Sequence, residues 1–310
     1  MIERAIITGA TCSLGIALTQ YLLEQGGTVT AIVRPHSSRI SALPRHPRLQ
    51  VVACELSQLA TLENLPSHDG GTFFHLGWNT TSVSMTGDPA AQAESIVMTL
   101  AAVKLAAALK CTGFVGAGSQ AEYGRCTQPL TPDTPTAPET SYGIAKYAAG
   151  QLSRQLCERL GLRHCWCRIL SLYGPFDKPT TGLMYCLTTL LRGEKPSLTP
   201  CEQVWDYIYV ADCARALCLA AEYGRPGVVY PIGSGHPRPL REYFTAIRDR
   251  IDPQLSLGFG EKAYSPRQIM QLSTDLSRLT ADTGFVPVYS FAAGMEKMIA
   301  WLNSQEHVQK

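Results

Sequence analysis

Charge is scarce in this chain of 310 residues. Asp, Glu, Lys and Arg make up 17% of it and the formal net charge is +2, too weak a field to draw nucleic acid or an anionic membrane surface. Apolar runs of bilayer length are missing as well, because the best of them, residues 96–109, is interrupted by Lys104. Met1-Ile2-Glu3-Arg4 leads straight into the apolar stretch Ala5-Ile6-Ile7, which leaves no room for a signal peptide and makes a cytoplasmic protein the expectation. Metal-ligand spacing is absent too. The eleven cysteines are odd in number, and the one close pair, Cys165 and Cys167, has no second pair to complete a tetrahedral set. They read as buried thiols in a reducing compartment, with no metal expected. Internal repeats and low-complexity tracts are lacking.

What is present is an ordinary globular composition, 45% hydrophobic, on a chain long enough to bury a sizeable core. Its partner is expected to be a small molecule. The first strand runs into Thr8-Gly9-Ala10-Thr11-Cys12-Ser13-Leu14-Gly15. A helix over residues 14–25 follows, stops at Gly26-Gly27, and gives way to a second strand at Thr28–Val33. Strand, glycines, helix and strand in this order let a dinucleotide pyrophosphate lie against a helix N-terminus, where glycine permits close backbone approach. Gly9, Thr11, Cys12, Ser13, Leu14 and Gly15 are therefore candidate cofactor residues. At the end of the second strand, where an NAD-preferring fold carries a carboxylate for the adenosine ribose, stand Val33 and Arg34, with Arg39 nearby. A guanidinium in place of an acid favours the extra phosphate of NADP(H), with NAD(H) as the alternative.

Further on, Pro129, Pro132, Pro135 and Pro138 forbid a helix and give an extended loop. That loop leads into a predicted helix over residues 141–160, which Gly161 terminates. Tyr142 and Lys146 lie four residues apart on this helix and share one face, about 6 Å apart along the axis. A lysine cation beside a phenol stabilises the phenolate and is expected to lower the tyrosine pKa toward neutrality. The pair then serves as a proton donor and acceptor.

Together with Ser119, these segments resemble the short-chain dehydrogenase/reductase superfamily, in particular its extended branch of NAD(P)-dependent sugar epimerases and dehydratases. Gly118-Ser119-Gln120-Ala121-Glu122-Tyr123-Gly124 is similar to that branch's Ser-x-x-x-Tyr-Gly motif. The resemblance implies that Ser119 hydrogen-bonds the substrate oxygen, with Tyr142 and Lys146 completing the catalytic set and also binding the cofactor, Lys146 at the nicotinamide ribose. Cys12 departs from the Gly-x-x-Gly-x-x-Gly pattern at its middle position. Glu55 and Leu56 stand where family members show Asp-Leu near the adenine, and Leu76, Gly77 and Trp78 fall in the His-Leu-Ala-Ala stretch beneath the cofactor. His75 reads as a packed strand residue. The acid pair that follows the hydroxyl in 4,6-dehydratases is replaced by Gln120-Ala121, which removes the groups dehydration needs.

Residues 168–175 resemble Arg-x-x-Asn-x-Tyr-Gly-Pro, with Ser171 in the Asn position, and residues 203–212 resemble the Arg-Asp-Tyr-Ile-His-Val stretch, with Trp205 in the Arg position. Arg267 is the candidate for a second phosphate-binding arginine. The resemblance gives Trp78, Ser119, Gln120, Ser171 and Arg267 as substrate-binding candidates. It also implies a homodimer formed through the alanine-rich helix at 89–109 and the Tyr142 helix.

The expected fold is α/β, a Rossmann-type doubly wound parallel sheet of about seven strands. Residues 1–174 with about 206–235 form the NADP-binding domain, and 175–205 with 236–310 form a smaller substrate-binding domain. The expected activity is NADPH-dependent reduction of a keto group on a sugar, a nucleotide-linked 4-keto-6-deoxyhexose. The alternatives are a nucleotide-sugar 4-epimerase with tightly bound NAD, a reductase of non-sugar ketones, and a non-catalytic NADP-binding regulator.

Overall fold

The computed structural model describes residues 1–79 and 87–308, with side chains to residue 305. Its centre is a seven-stranded sheet built from β1 (Arg4–Thr8), β2 (Thr28–Val33), β3 (Leu49–Ala53), β4 (Thr72–His75), β5 (Gly113–Ser119), β6 (Arg163–Ile169) and a late strand, β10 (Val229–Ile232). The spatial order is β10-β6-β5-β4-β1-β2-β3 and every pairing is parallel. Parallel strands covered on both faces read as near-continuous apolar runs with period two. Ile6 and Phe73 accordingly join the core on one side of the sheet, while Ile7 and Phe74 join the core on the other.

Helices α1 (Ser13–Glu24) and α5 (Val210–Tyr223) cover one face, and α2 (Pro89–Ala108) and α3 (Ser141–Arg159) cover the other. By length and composition α2 is apolar enough to cross a membrane. Here its Ala102, Val103, Leu105 and Ala106 are buried against the sheet beside α3. The strand order reverses direction between β1 and β4, which opens a crevice at the carboxyl ends of those strands.

Beyond the sheet, β7 (Ser171–Tyr173) pairs in parallel with β9 (Tyr207–Tyr209), and β8 (Val204–Trp205) pairs antiparallel with β11 (Arg238–Pro239). Helices α4 (Gly182–Leu191), α6 (Leu240–Ile251), α7 (Ser277–Thr283) and α8 (Phe291–Val308) complete this part. An aromatic cluster of Tyr173, Tyr207, Tyr243 and Phe291 ties it together, with centroid separations from 4.6 to 6.2 Å. The fully buried Asp206 carboxylate accepts hydrogen bonds from Ser234 N–H and Oγ–H, Gly235 N–H, and Thr274 N–H and Oγ1–H. One side chain thus holds three segments distant in sequence.

The cysteines are free, most of them buried, and Cys165 and Cys167 point to one face of β6 with sulfurs 3.8 Å apart. Among the described residues no group of three or more His, Cys, Asp or Glu side chains is arranged to hold a metal ion.

Candidate active site

The turn between β1 and α1 is shaped by two close approaches. A Cβ on Gly9, whose φ is +69°, would stand 2.7 Å from the Gly77 nitrogen, and one on Gly15 would stand 2.4 Å from the Gly9 oxygen. Glycine at 9 lets the turn lie against the segment after β4; glycine at 15 lets α1 start directly behind it. Cys12 is the N-cap of α1, in extended conformation, and its Sγ accepts the Gly15 N–H at 3.2 Å. Its backbone asks for no glycine, so the departure from the three-glycine pattern costs the turn nothing.

A groove of about 530 Å³ opens here. Gly9, Thr11, Cys12, Leu76, Gly77 and Trp78 line it together with Arg34, Arg39, Glu55 and Leu56, so eight of the predicted cofactor residues share one cavity. Five of the predicted cofactor residues do not line it: Ser13 donates its hydroxyl to the Pro175 carbonyl at 2.6 Å, Leu14 and Gly15 are buried, and Tyr142 and Lys146 lie on α3. A helix N-terminus with two glycine-enforced approaches beside an elongated groove fits the pyrophosphate of a dinucleotide.

Trp78 links this groove to the predicted catalytic residues. Its ring centroid lies 3.8 Å from Lys146 Nζ and 6.0 Å, edge-on, from the Tyr142 ring, and its indole N–H donates to Gln92 Oε1 at 2.9 Å. Tyr142 and Lys146 occupy the first two turns of α3, where Thr140 caps the helix through its Oγ1 and the Gly143 N–H. A Cβ on Gly143 would stand 2.3 Å from the Ala121 oxygen, so glycine here presses α3 against the turn that carries Ser119. Ser119 ends β5, its hydroxyl accepts the Ala121 N–H at 3.2 Å, and it lies beside the Tyr142 phenol, whose ionisation it favours. Tyr142 and Lys146 thus stand behind Trp78, which lines the groove, and Ser119 lies beside Tyr142.

The expected effect of Lys146 on Tyr142 needs correction. Burial dominates and pushes the Tyr142 phenol up to about 12, with Ser119 offsetting only part of the rise. The same low-dielectric setting pulls Lys146 down to about 7, against the opposing field of Glu122. The Lys146 ammonium donates to the Ala117 carbonyl at 2.7 Å and stands 5.9 Å from the Tyr142 ring centroid. Tyr142 is thus a neutral donor near pH 7. His75, driven down to about 3 by burial, is held between Thr8 and Thr99 as a neutral packed residue.

The other candidates are more dispersed. Gln120 is half-buried in the turn after Ser119. Ser171 accepts the Trp205 indole N–H at 2.6 Å, so the two departures from the family pattern meet each other. Arg267 is exposed; it adds to the pull of Arg125, the main cause, in holding the Glu139 carboxyl below its ordinary value. One residue of the site does not stand out in the sequence. Glu122 is fully buried beside Ser119, and only its place within the Ser-x-x-x-Tyr-Gly motif hints at it.

These features describe a Rossmann-type α/β protein with Ser119, Tyr142 and Lys146 grouped beside a groove at the β1–α1 turn. The model of the NAD dependent epimerase/dehydratase family matches residues 5–233, and the chain belongs to that family. Curated relatives include a dTDP-glucose 4,6-dehydratase of Xanthomonas campestris, 27% identical over 202 residues that cover 62% of this chain and 56% of the relative. A dTDP-4-dehydro-6-deoxyglucose reductase of Escherichia coli is 24% identical, with 57% of each chain covered. The match therefore spans little more than half the length of these relatives. Among solved structures, a UDP-glucose 4-epimerase of Thermotoga maritima superposes with a TM-score of 0.86 at 21% identity, covering 97% of this chain and 99% of the other. A dTDP-glucose 4,6-dehydratase of Streptomyces venezuelae, solved with NAD, gives 0.86 at 20% identity and 98% of both chains. These likenesses establish the fold.

Proposed function

We propose that this chain is a reductase that uses NADPH to convert a keto group on a nucleotide-linked sugar, a 4-keto-6-deoxyhexose, to an alcohol. The observation that carries the reading is the grouping of Ser119, Tyr142 and Lys146 around Trp78, a residue that lines the same groove as Arg34. The turn after Ser119 offers Gln120 and Ala121, and the Glu122 carboxylate is buried and fully engaged. No acid in that turn is free to remove a carbon-bound proton, which argues against dehydration.

Bound in the groove, the reduced nicotinamide dinucleotide supplies the hydride. Ser119 holds the carbonyl oxygen, and Tyr142, protonated at neutral pH, gives that oxygen its proton. Lys146 in its ammonium form binds the nicotinamide ribose and stabilises the phenolate left behind. Recognition of the sugar and its nucleotide falls to residues 175–205 and 236–310, with Arg267 on a phosphate.

The first test is mass analysis of the purified, denatured protein, followed by titration of the apo form with NADPH and NADH. Weak, exchangeable binding that prefers NADPH, then loss of NADPH absorbance with a nucleotide 4-ketosugar, is the expected result. Retained NAD would move the reading to a 4-epimerase, and tight NADP binding without turnover would move it to a regulator. Arg34→Asp is expected to weaken NADPH binding by about tenfold to a hundredfold, the loss of one charge-assisted contact. NADH affinity should hold. An unchanged preference would remove Arg34 from the 2′-phosphate site.

The exposed faces of α2 and α3 suit a second copy of this chain. Val97, Ile144 and Leu152 are 68%, 54% and 42% exposed, and Val97, Leu100, Ala101 and Leu152 border one cleft between the helices. Val97→Arg combined with Leu152→Glu should convert a dimer to a monomer in sedimentation equilibrium, while a mass unaffected by the substitutions would reject this face.

A further inference from the structure

Glu122 has no part in the hydride chemistry, yet it is the most thoroughly engaged carboxylate near the site. It sits in the single helical turn after β5, 0% exposed. One oxygen accepts the Ser119 N–H at 2.8 Å, the Trp166 indole N–H is shared between both oxygens at 3.0 and 3.2 Å, and Arg168 Nε donates at 2.6 Å. Arg168 is anchored in turn, its guanidinium 4.3 Å from the Tyr123 ring centroid. The Ser119 hydroxyl accepts the Ala121 N–H in return, so backbone and side chain of Ser119 are both fixed by this one turn.

A buried ion pair is a poor way to stabilise a core. Apolar groups of the same volume often serve as well or better. The location of this pair suggests another use. The Trp78 ring and Tyr142 on its own helix stand by the Lys146 ammonium, while Glu122 from the β5 turn, itself paired with Arg168 of β6, Cys12 from the α1 turn and the neutral His75 of β4 are coupled to it electrostatically. Glu122 is the foremost of these in favouring the charged lysine; burial opposes it.

We propose that Glu122 is a positioning residue: tied to Trp166 and Arg168, it clamps the Ser119 amide so that the hydroxyl is held against Tyr142, and it sets a negative charge behind Lys146. This rests on the reading of Ser119, Tyr142 and Lys146 as the catalytic set. Two consequences separate it from a merely structural role. The charge of Glu122 keeps Lys146 protonated to higher pH, and its geometry keeps Ser119 in line. Because activity needs the ammonium form, turnover falls as pH rises through the Lys146 midpoint, and loss of the Glu122 charge moves that fall to lower pH.

The test uses Glu122→Gln and Glu122→Asp in the full chain. Lysine labelled at 13Cε and 15Nζ, with the Lys146 signal assigned through Lys146→Arg, gives the Lys146 midpoint by NMR without any substrate. In Glu122→Gln the midpoint should drop by about one pH unit, the size expected for one lost counter-charge. The basic limb of kcat should move with it. In Glu122→Asp the charge stays but the carboxylate withdraws by one methylene from the Ser119 amide. The midpoint should hold while kcat falls about tenfold or more with KM little changed, as lost alignment predicts. A Lys146 midpoint unmoved in Glu122→Gln, or full kcat in Glu122→Asp, would overturn the proposal; if Glu122→Gln does not fold, Glu122→Asp decides it alone. Failure to find a ketosugar substrate leaves the NMR result standing, so the two readings fail separately.

Discussion

On the proposed reductase reading, Tyr142→Phe cuts ketone reduction by about 10²- to 10⁴-fold and leaves cofactor binding in place. The variant removes one oxygen from a side chain whose ring is held by Trp78, with centroids 6.0 Å apart, and whose helix is capped by Thr140. Neither contact uses the phenol, so ring, helix and Lys146 should stay where they are. What disappears is the proton donor. Burial raises the phenol to about 12, which guarantees a proton on Tyr142 at pH 7 but also makes that proton hard to surrender. Ser119 eases its departure, and an ammonium at Lys146, when charged, favours the phenolate as any nearby cation does. Proton transfer by a positioned side chain is worth about 10²- to 10⁴-fold in rate. The expected result is a kcat reduced by that amount with an NADPH dissociation constant within about twofold, as for an interaction made only in the transition state. Stopped-flow absorbance and a fluorescence titration provide both numbers. Turnover retained within about tenfold would transfer the proton to another donor and dismantle the assignment.

The largest effect on stability is expected at Asp206, well away from the reacting atoms. Its carboxylate accepts five hydrogen bonds from Ser234, Gly235 and Thr274 while fully buried. Asp206→Ala strands those donors at once. An unsatisfied buried donor costs about 1–3 kcal/mol, and loss of a buried charged partner about 3–5 kcal/mol in all. Partial rearrangement and entry of water bring the expected loss to roughly 4 kcal/mol, a fall in Tm of about 6 °C for a chain of this size. Differential scanning calorimetry on the apo protein measures it. Ser234→Ala, which removes one of the five bonds, should cost about 1 kcal/mol. Equal and small effects for both would show that the three segments are held by other contacts.

Much of the chemistry is legible in the order and spacing of the residues. Tyr142 and Lys146 announce themselves because helical periodicity alone puts residues four apart on one face. The bounds of β2 are readable as well, since an apolar run and the glycine stop before it are local properties. Where spacing misleads, the cause is the dielectric. Spacing says that a cation neighbours Tyr142, but the balance between that cation and burial is a sum over everything packed around the pair, and burial wins at both groups. Glu122 is hidden for a related reason: its partners Trp166 and Arg168 lie 44 and 46 residues away, on a strand that becomes its neighbour only when β5 and β6 pair.

The sequence by itself therefore determined the alternation of strands and helices, the glycine turn and the residue types able to carry hydride and proton chemistry, because each depends on neighbours within a few positions. Tertiary structure decided which of those residues face one groove and which ionise. It pointed Ser13 away to Pro175, turned Ser171 to the Trp205 indole, and buried Glu122 behind Ser119. Those outcomes depend on strand order and on the exclusion of water, and both arise only when distant segments close on one another.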